Sequence, residues 1–221
     1  MRFNPINLDF ELGANGGSTP STGWVRPSTW PVIESLVGSN EGVMLVKVFP
    51  NTPIDYLNII NIKLASLGTG STTVDWGDGN TTTQTTTTSA SLFSYTYTYS
   101  NPLLIDNGEG WKYAIIKITS PVNISQFYSE STSQIIDLDF NFNKINRCEM
   151  SKNGYIEQIC IRNGEFTNMD PWFSNCTNLK KIKNLYSTLP VTVMNQTFQH
   201  CPLLEEINEN LTLNLYSLNV S

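Results

Sequence analysis

Charge is scarce in this chain, since Asp, Glu, Lys and Arg make up only 14% of its 221 residues and histidine occurs once, at His200. The balance is 13 basic against 19 acidic residues, a formal net charge of −6, and no stripe of Lys or Arg interrupts it. That excludes the electrostatic footprint needed to hold a phosphate backbone, so nucleic acid is not an expected partner. Long apolar runs are missing too: no window reaches membrane-spanning length, and residues 1–9 (MRFNPINLD) lack the hydrophobic stretch of a signal peptide. The expectation is a chain made in the cytosol, with no membrane partner.

Cysteine is limited to Cys148, Cys160, Cys176 and Cys201, all in the second half, at intervals of 12, 16 and 25 and with no CxxC pair. With one histidine to join them, these spacings match no compact zinc pattern, and we read them as reduced thiols in a core. Neither G-x-S-x-G nor a Gly-rich phosphate loop occurs, and His200 sits directly before Cys201 at a repeat boundary. No enzyme, metal or cofactor is therefore expected. Two acidic groupings deserve weighing. Asp75 and Asp78 flank a turn and offer a calcium ion one carboxylate pair, thin for a shell of six to eight oxygens. Asp137 and Asp139 alternate along a strand, which predicts an exposed pair lining a concave face with Glu157, where solvated acids are the ordinary reading.

What the chain has in abundance is Asn, Thr and Ser, a composition suited to β structure and its turns. Residues 1–41 are rich in Pro, Gly, Ser and Asn and form an arm, flexible or extended over residues 13–21. Set in it are Trp24, Arg26 and Trp30 around Pro27. Large aromatics on such an arm either fold back onto their own domain or dock into a neighbouring subunit, and the docking reading makes these three residues the candidate interface. From residue 42 the pattern becomes regular, with strands expected over 43–49, within 56–67 and over 111–119. Between them, residues 74–80 (VDWGDGN) predict a hairpin in which Asp78-Gly79 supplies the positive φ angles and Val74 and Trp76 face one way. Thr81–Thr83 and Thr85–Thr88 then read as a solvated extension. Tyr95, Tyr97 and Tyr99 follow with period two, three rings on one face suited to packing beside Trp76. Residues 42–120 are thus expected to be an antiparallel β-sandwich.

The second half has another period. Phe173, Cys176, Leu179 and Ile182 recur 25 residues later as Phe198, Cys201, Leu204 and Ile207. Weaker copies precede them at Ile156, Ile159 and Ile161, and at Ile135, Leu138 and Phe140. Apolar positions repeating every 20 to 25 residues predict a solenoid in which each turn gives one short strand to a parallel sheet. The alternating residues 211–215 (LTLNL) predict a last strand, its open end covered by another subunit.

The hairpin of Trp76, Gly77, Asp78 and Gly79 with its aromatic strand resembles the PKD-type immunoglobulin-like domain, with Tyr95 or Thr96 standing where that family's pattern has a histidine. The Phe-x-x-Cys-x-x-Leu-x-x-Ile phrase resembles the BspA-like leucine-rich repeat, found in surface proteins of Bacteroidetes and in phages that infect them. The arm with Trp24, Arg26, Pro27 and Trp30 resembles the N-terminal part of tailed-bacteriophage structural proteins. Together these resemblances imply a mainly β chain of three parts: a docking arm over 1–41, an immunoglobulin-like sandwich over 42–120 and a leucine-rich-repeat solenoid over 121–221. They imply a non-enzymatic virion component, a head fibre, collar or tail appendage, in homo-oligomeric contact with capsid, neck or fibre subunits and able to meet a host glycan or protein. The alternative they leave is a bacterial cell-surface adhesin or glycan-binding module.

Overall fold

The computed structural model describes residues 23–50, 58–130 and 133–207. The expectations for residues 13–21 and 211–215 lie outside them. The described chain is mainly β, and its second half is a β-solenoid of about four turns. Thirteen strands run in order: β1 Glu41–Val48, β2 Ile59–Ser66, β3 Gly70–Asp75, β4 Thr81–Thr86, β5 Ser91–Thr96, β6 Ile105–Asp106, β7 Lys112–Thr119, β8 Ile124–Ser129, β9 Ile135–Phe140, β10 Arg147–Glu149, β11 Gln158–Ile161, β12 Lys181–Leu185 and β13 Glu206–Ile207. They make two sheets. The larger has the order β13-β12-β11-β9-β1-β7-β3-β4, with β6 added on β7, and the smaller has the order β10-β8-β2-β5.

Strand β1 explains the layout. Its run of Val43, Met44, Leu45 and Val46 is apolar at every position, and each of these side chains is fully buried. Such a run suits a strand covered on both faces. Met44, Val46 and Val48 point into the main core, where they meet Ile60, Ile62 and Leu64 of β2 from the facing sheet. Val43 and Leu45 point the other way, into a second apolar cluster with Trp30, Ile33, Tyr113 and Ile136. β1 is antiparallel to both its neighbours, β7 and β9.

From β9 onward the sheet becomes parallel, through β11 and β12 to β13. Leu138, Ile159, Ile182 and Ile207 stand in register as successive rungs. These are the repeat positions found in the sequence. Phe173, Cys176, Leu179 and Ile182 are fully buried, while their copies Phe198, Cys201, Leu204 and Ile207 are half-buried against the same core. The turns stack as well: Lys152 N donates to Ser174 O, and Asn175 N to Gln199 O. Lys152, Asn175 and His200 hold equivalent left-handed positions, with φ of 66°, 59° and 58°. His200 is therefore the turn residue its spacing predicts.

The hairpin differs in detail from expectation. β3 and β4 pair with Asp75 opposite Thr81, and Trp76 N donates to Asn80 O, so the loop is Gly77, Asp78 and Gly79. Positive φ falls on Gly77 (75°) and Gly79 (91°), not on Asp78. A Cβ at Gly77 would stand 2.3 Å from the carbonyl oxygen of Ile115, so close approach as well as conformation requires glycine there.

Both sheets also cross the boundary placed at residue 120. β8 pairs with β2 in the smaller sheet and β9 with β1 in the larger, and one apolar cluster runs from Met44 to Val191.

Candidate functional site: the strap on the outer sheet face

Residues 23–38, from the described part of the arm, contain no strand and lie as a strap over the outward face of the larger sheet, while the arm's last residue, Glu41, opens β1. Trp30 is the anchor. It is 5% exposed and packs with Ile33 on Val43, Leu45, Tyr113 and Ile136. Trp24 meets Trp30 edge to face at 5.9 Å, and Lys180 stands over the Trp24 ring at 5.7 Å. Of the two readings of these tryptophans, folding back onto their own chain is the arrangement seen.

Arg26 organises the polar side. Its Nε donates to Asp137 Oδ2 at 3.0 Å and its Nη1 to the carbonyl of Trp30 at 3.0 Å, and Nη2 reaches the carbonyl of Pro31. The guanidinium thus fixes a tight bend in the strap and pins it to β9. A second fastening is formed by Arg162, whose Nε and Nη2 donate to the two carboxylate oxygens of Asp139 at 2.7 Å while Nη2 also reaches the carbonyl of Glu34. Lys183 donates to Glu34 Oε1 at 2.7 Å.

Asp137 and Asp139 are therefore not an exposed pair. They are 0% and 1% exposed, because the strap covers the face on which strand periodicity places them. Burial pushes the Asp137 carboxyl up to about 6 against the pull of Arg26, while Gln158 donates to its other oxygen at 3.1 Å. The Glu34 carboxyl moves the other way. Burial opposes its ionisation, but the hydrogen bond and charge of Lys183 outweigh that and hold it below its usual range. Glu157 is occupied by Lys180 at 2.8 Å and Lys47 at 4.0 Å, and burial lowers the Lys47 ammonium. Each carboxylate of this face already has a cationic partner, which leaves no free acid-base pair on it.

Of the hairpin carboxylates Asp78 is committed and Asp75 is exposed. Asp78 is 3% exposed and accepts Tyr95 OH at 2.7 Å, Asn80 N and Nδ2 at 3.2 and 3.1 Å, and Asn101 Nδ2 at 3.3 Å. Asp75 accepts Gly77 N at 2.9 Å. Donors surround the Asp78 oxygens, the reverse of a cation shell, and among the described residues no group of three metal-ligating side chains converges. Tyr97 OH donates to Trp76 O at 2.7 Å, and Tyr95 stacks on Trp76 at 4.9 Å. Burial and the Asp78 charge raise the Tyr95 hydroxyl to about 12.

The thiols behave as core atoms. Cys176 donates to the carbonyl of Met150 at 3.2 Å and Cys201 to that of Phe173 at 3.0 Å. Burial pushes the Cys160 and Cys176 thiols up to about 12, and Cys148 higher still. None has the depressed acidity of a nucleophile.

Sequence reasoning found Trp24, Arg26 and Trp30 but not Glu34, Arg162 or Lys183. The available signal was scarcity: in so charge-poor a chain, charged residues set among apolar ones need partners. Comparison of the chain with family models, with curated proteins and with solved structures finds no match.

Proposed function

We propose that the chain is a non-enzymatic structural subunit of a bacteriophage particle, a head-fibre, collar or tail-appendage component made in the host cytoplasm and held to the particle through its N-terminal arm. The observation that carries this reading is the outer side of the strap. Because Trp30 and Ile33 turn inward, Val25, Val32 and Leu36 turn outward, 78%, 62% and 43% exposed. Three of the ten exposed large hydrophobics of the described residues thus lie within one short segment, a concentration that suits a buried protein contact. Attachment then rests on these three side chains and not on the rings of Trp24 and Trp30, which the chain uses itself.

The finer fold belongs to the same reading. We take β1 to β7 as an immunoglobulin-like sandwich of the PKD type and the turns after them as leucine-rich repeats. Support comes from the antiparallel pairing of β1 with β7, β3 with β7 and β2 with β5. The hydroxyl of Tyr95 also supplies the hairpin contact for which the PKD pattern uses a histidine. Partners would be capsid, neck or fibre proteins at the strap, with a host glycan or protein at the outer modules.

The test is particle composition. A Val25→Ser, Val32→Ser, Leu36→Ser variant should fold normally, since all three side chains face solvent, and should be lost from purified particles when subunits are counted by quantitative mass spectrometry. Normal copy number in that variant would sink the docking surface. Failure of antibodies against residues 81–88 to label particles would sink the virion reading itself.

A further inference from the structure

The strap holds to the sheet in an unusual manner. Among the described residues no backbone-to-backbone hydrogen bond joins residues 23–38 to either sheet. Its own backbone bonds are internal, Trp30 N to Pro27 O and Leu36 N to Ile33 O. What fixes it is a set of side-chain fits: the Trp30 ring in its apolar seat, Arg26 on Asp137, and Glu34 between Lys183 and Arg162. Such fits depend on what the segment is and not on which chain it belongs to.

The connection to β1 carries two unfavourable terms. The chain reverses through Ser39 and Asn40, with Asn40 in the left-handed region at φ 57°. Its side-chain Oδ1 is buried with no hydrogen-bond partner. Both terms are unfavourable, and both vanish if residues 38–40 straighten. Straightening gives up the bonds from Asn40 Nδ2 to the carbonyls of Ser120 and Val122, from Asn40 N to the carbonyl of Asn141, from Asn141 Nδ2 to the carbonyl of Gly38 and from Gly38 N to Glu41 Oε2, all between half-buried residues whose polar groups water can serve.

We propose that the strap is exchanged between two copies of this chain, residues 23–38 of each lying on the outer sheet face of the other, with Arg26 against Asp137 of the second copy. Every contact of the closed monomer is remade, and only the hinge changes. The arrangement is reciprocal and closes on itself with twofold symmetry, as exchanged elements do. The occupant of the face is settled by charge complementarity. An incoming segment must offer a guanidinium to Asp137 and an indole to the Val43 and Leu45 surface, and the strap carries both at the right separations. The inference stands whether or not the chain belongs to a particle.

Charge reversal in mixed copies tests it. An Arg26→Asp chain sets two carboxylates together, and an Asp137→Arg chain two guanidiniums, so neither can seat a strap on itself or on its own kind. Mixed, each supplies what the other lacks, at both seats. Native mass spectrometry should then find a 1:1 species of twice the monomer mass, where neither variant alone forms one. The double variant Arg26→Asp, Asp137→Arg serves as the folding control, because it restores the pair within one chain. If the control folds and the mixture stays monomeric, exchange is overturned. Should the reversed chains fail to fold, an Arg26→Cys chain mixed with an Asp137→Cys chain and oxidised with diamide decides the matter. A disulfide joining the two chains at these positions upholds exchange, and its absence refutes it.

Discussion

Tyr95 does for the hairpin what no residue of the loop does for itself. Its hydroxyl donates to Asp78, a carboxylate almost wholly out of water, while its ring stacks on Trp76. Tyr95→Phe keeps the ring and leaves the carboxylate one donor short. It should lower unfolding free energy by about 1–3 kcal/mol, the range for a buried acceptor losing a partner, read from urea denaturation. An unchanged midpoint would mean that water replaces the hydroxyl. Asp137 makes a prediction of the opposite character. Its folded carboxyl titrates at about 6, above the ordinary 3.8, because burial disfavours the charge more than Arg26 restores it. The folded chain therefore binds this proton more tightly than the unfolded one. The resulting stability is fully present below about pH 4 and is lost as pH rises through 6, on the scale of about 3 kcal/mol. Denaturation at pH about 5 and about 8 should show wild type losing more stability with rising pH than Asp137→Asn, and equal slopes would refute the assignment.

At the scale of the element, the repeat was readable from the sequence, while of the strap its tryptophans and their folding back were readable as one of two readings and its seat was not. Phe173, Cys176, Leu179 and Ile182 recur at a fixed interval because a solenoid core repeats the same inward positions, and that interval survives in a linear pattern. Stacking of the Phe173 and Phe198 rings, 5.8 Å apart and 16° from parallel, is the same periodicity in space. Position along the solenoid sets the cost of losing a ring. Phe173→Ala opens a hole between rungs and should cost about 3–5 kcal/mol, whereas Phe198→Ala, at a half-buried position, should cost clearly less. Equal losses in chemical denaturation would mean that Phe198 is as fully covered as Phe173. The burial of Asp137 and Asp139 could not be read in this way. Strand alternation correctly sets them on the outward face, but the segment that covers that face lies 111 residues earlier in the chain. Nothing in local pattern joins the two. The Asp78 network was half legible, since the hairpin and tyrosine strand are visible in sequence but the contact between them depends on which ring reaches the loop.

For the whole molecule, the two patterns in the sequence suggest two modules, and the core joins them. β1 needs β9 on one side as much as β7 on the other, and β2 lies between β5 and β8. Heating should therefore give a single calorimetric transition, with calorimetric and van't Hoff enthalpies in agreement. Residues 42–120 expressed alone should not fold, because β1 would lose its β9 partner and much of the cover for Met44, and β2 would lose β8. Two resolved transitions, or a dispersed amide spectrum from that fragment, would show that the halves are independent.

The switch at β9, antiparallel to β1 on one side and parallel to β11 on the other, separates the part of the molecule whose strand number is fixed from the part where it is free. Everything before β9 is closed by specific pairings. In the larger sheet β11, β12 and β13 are then added one parallel rung at a time, while β10 joins the smaller sheet beside β8. Duplicating the 25 residues from Phe173 to Thr197 should then lengthen the solenoid by about 4.8 Å, one inter-strand spacing, and leave the hairpin, the strap and β1 untouched. The gene for this chain thus carries a ruler whose divisions are single repeats, so reach can be changed by tandem duplication without redesigning the foundation.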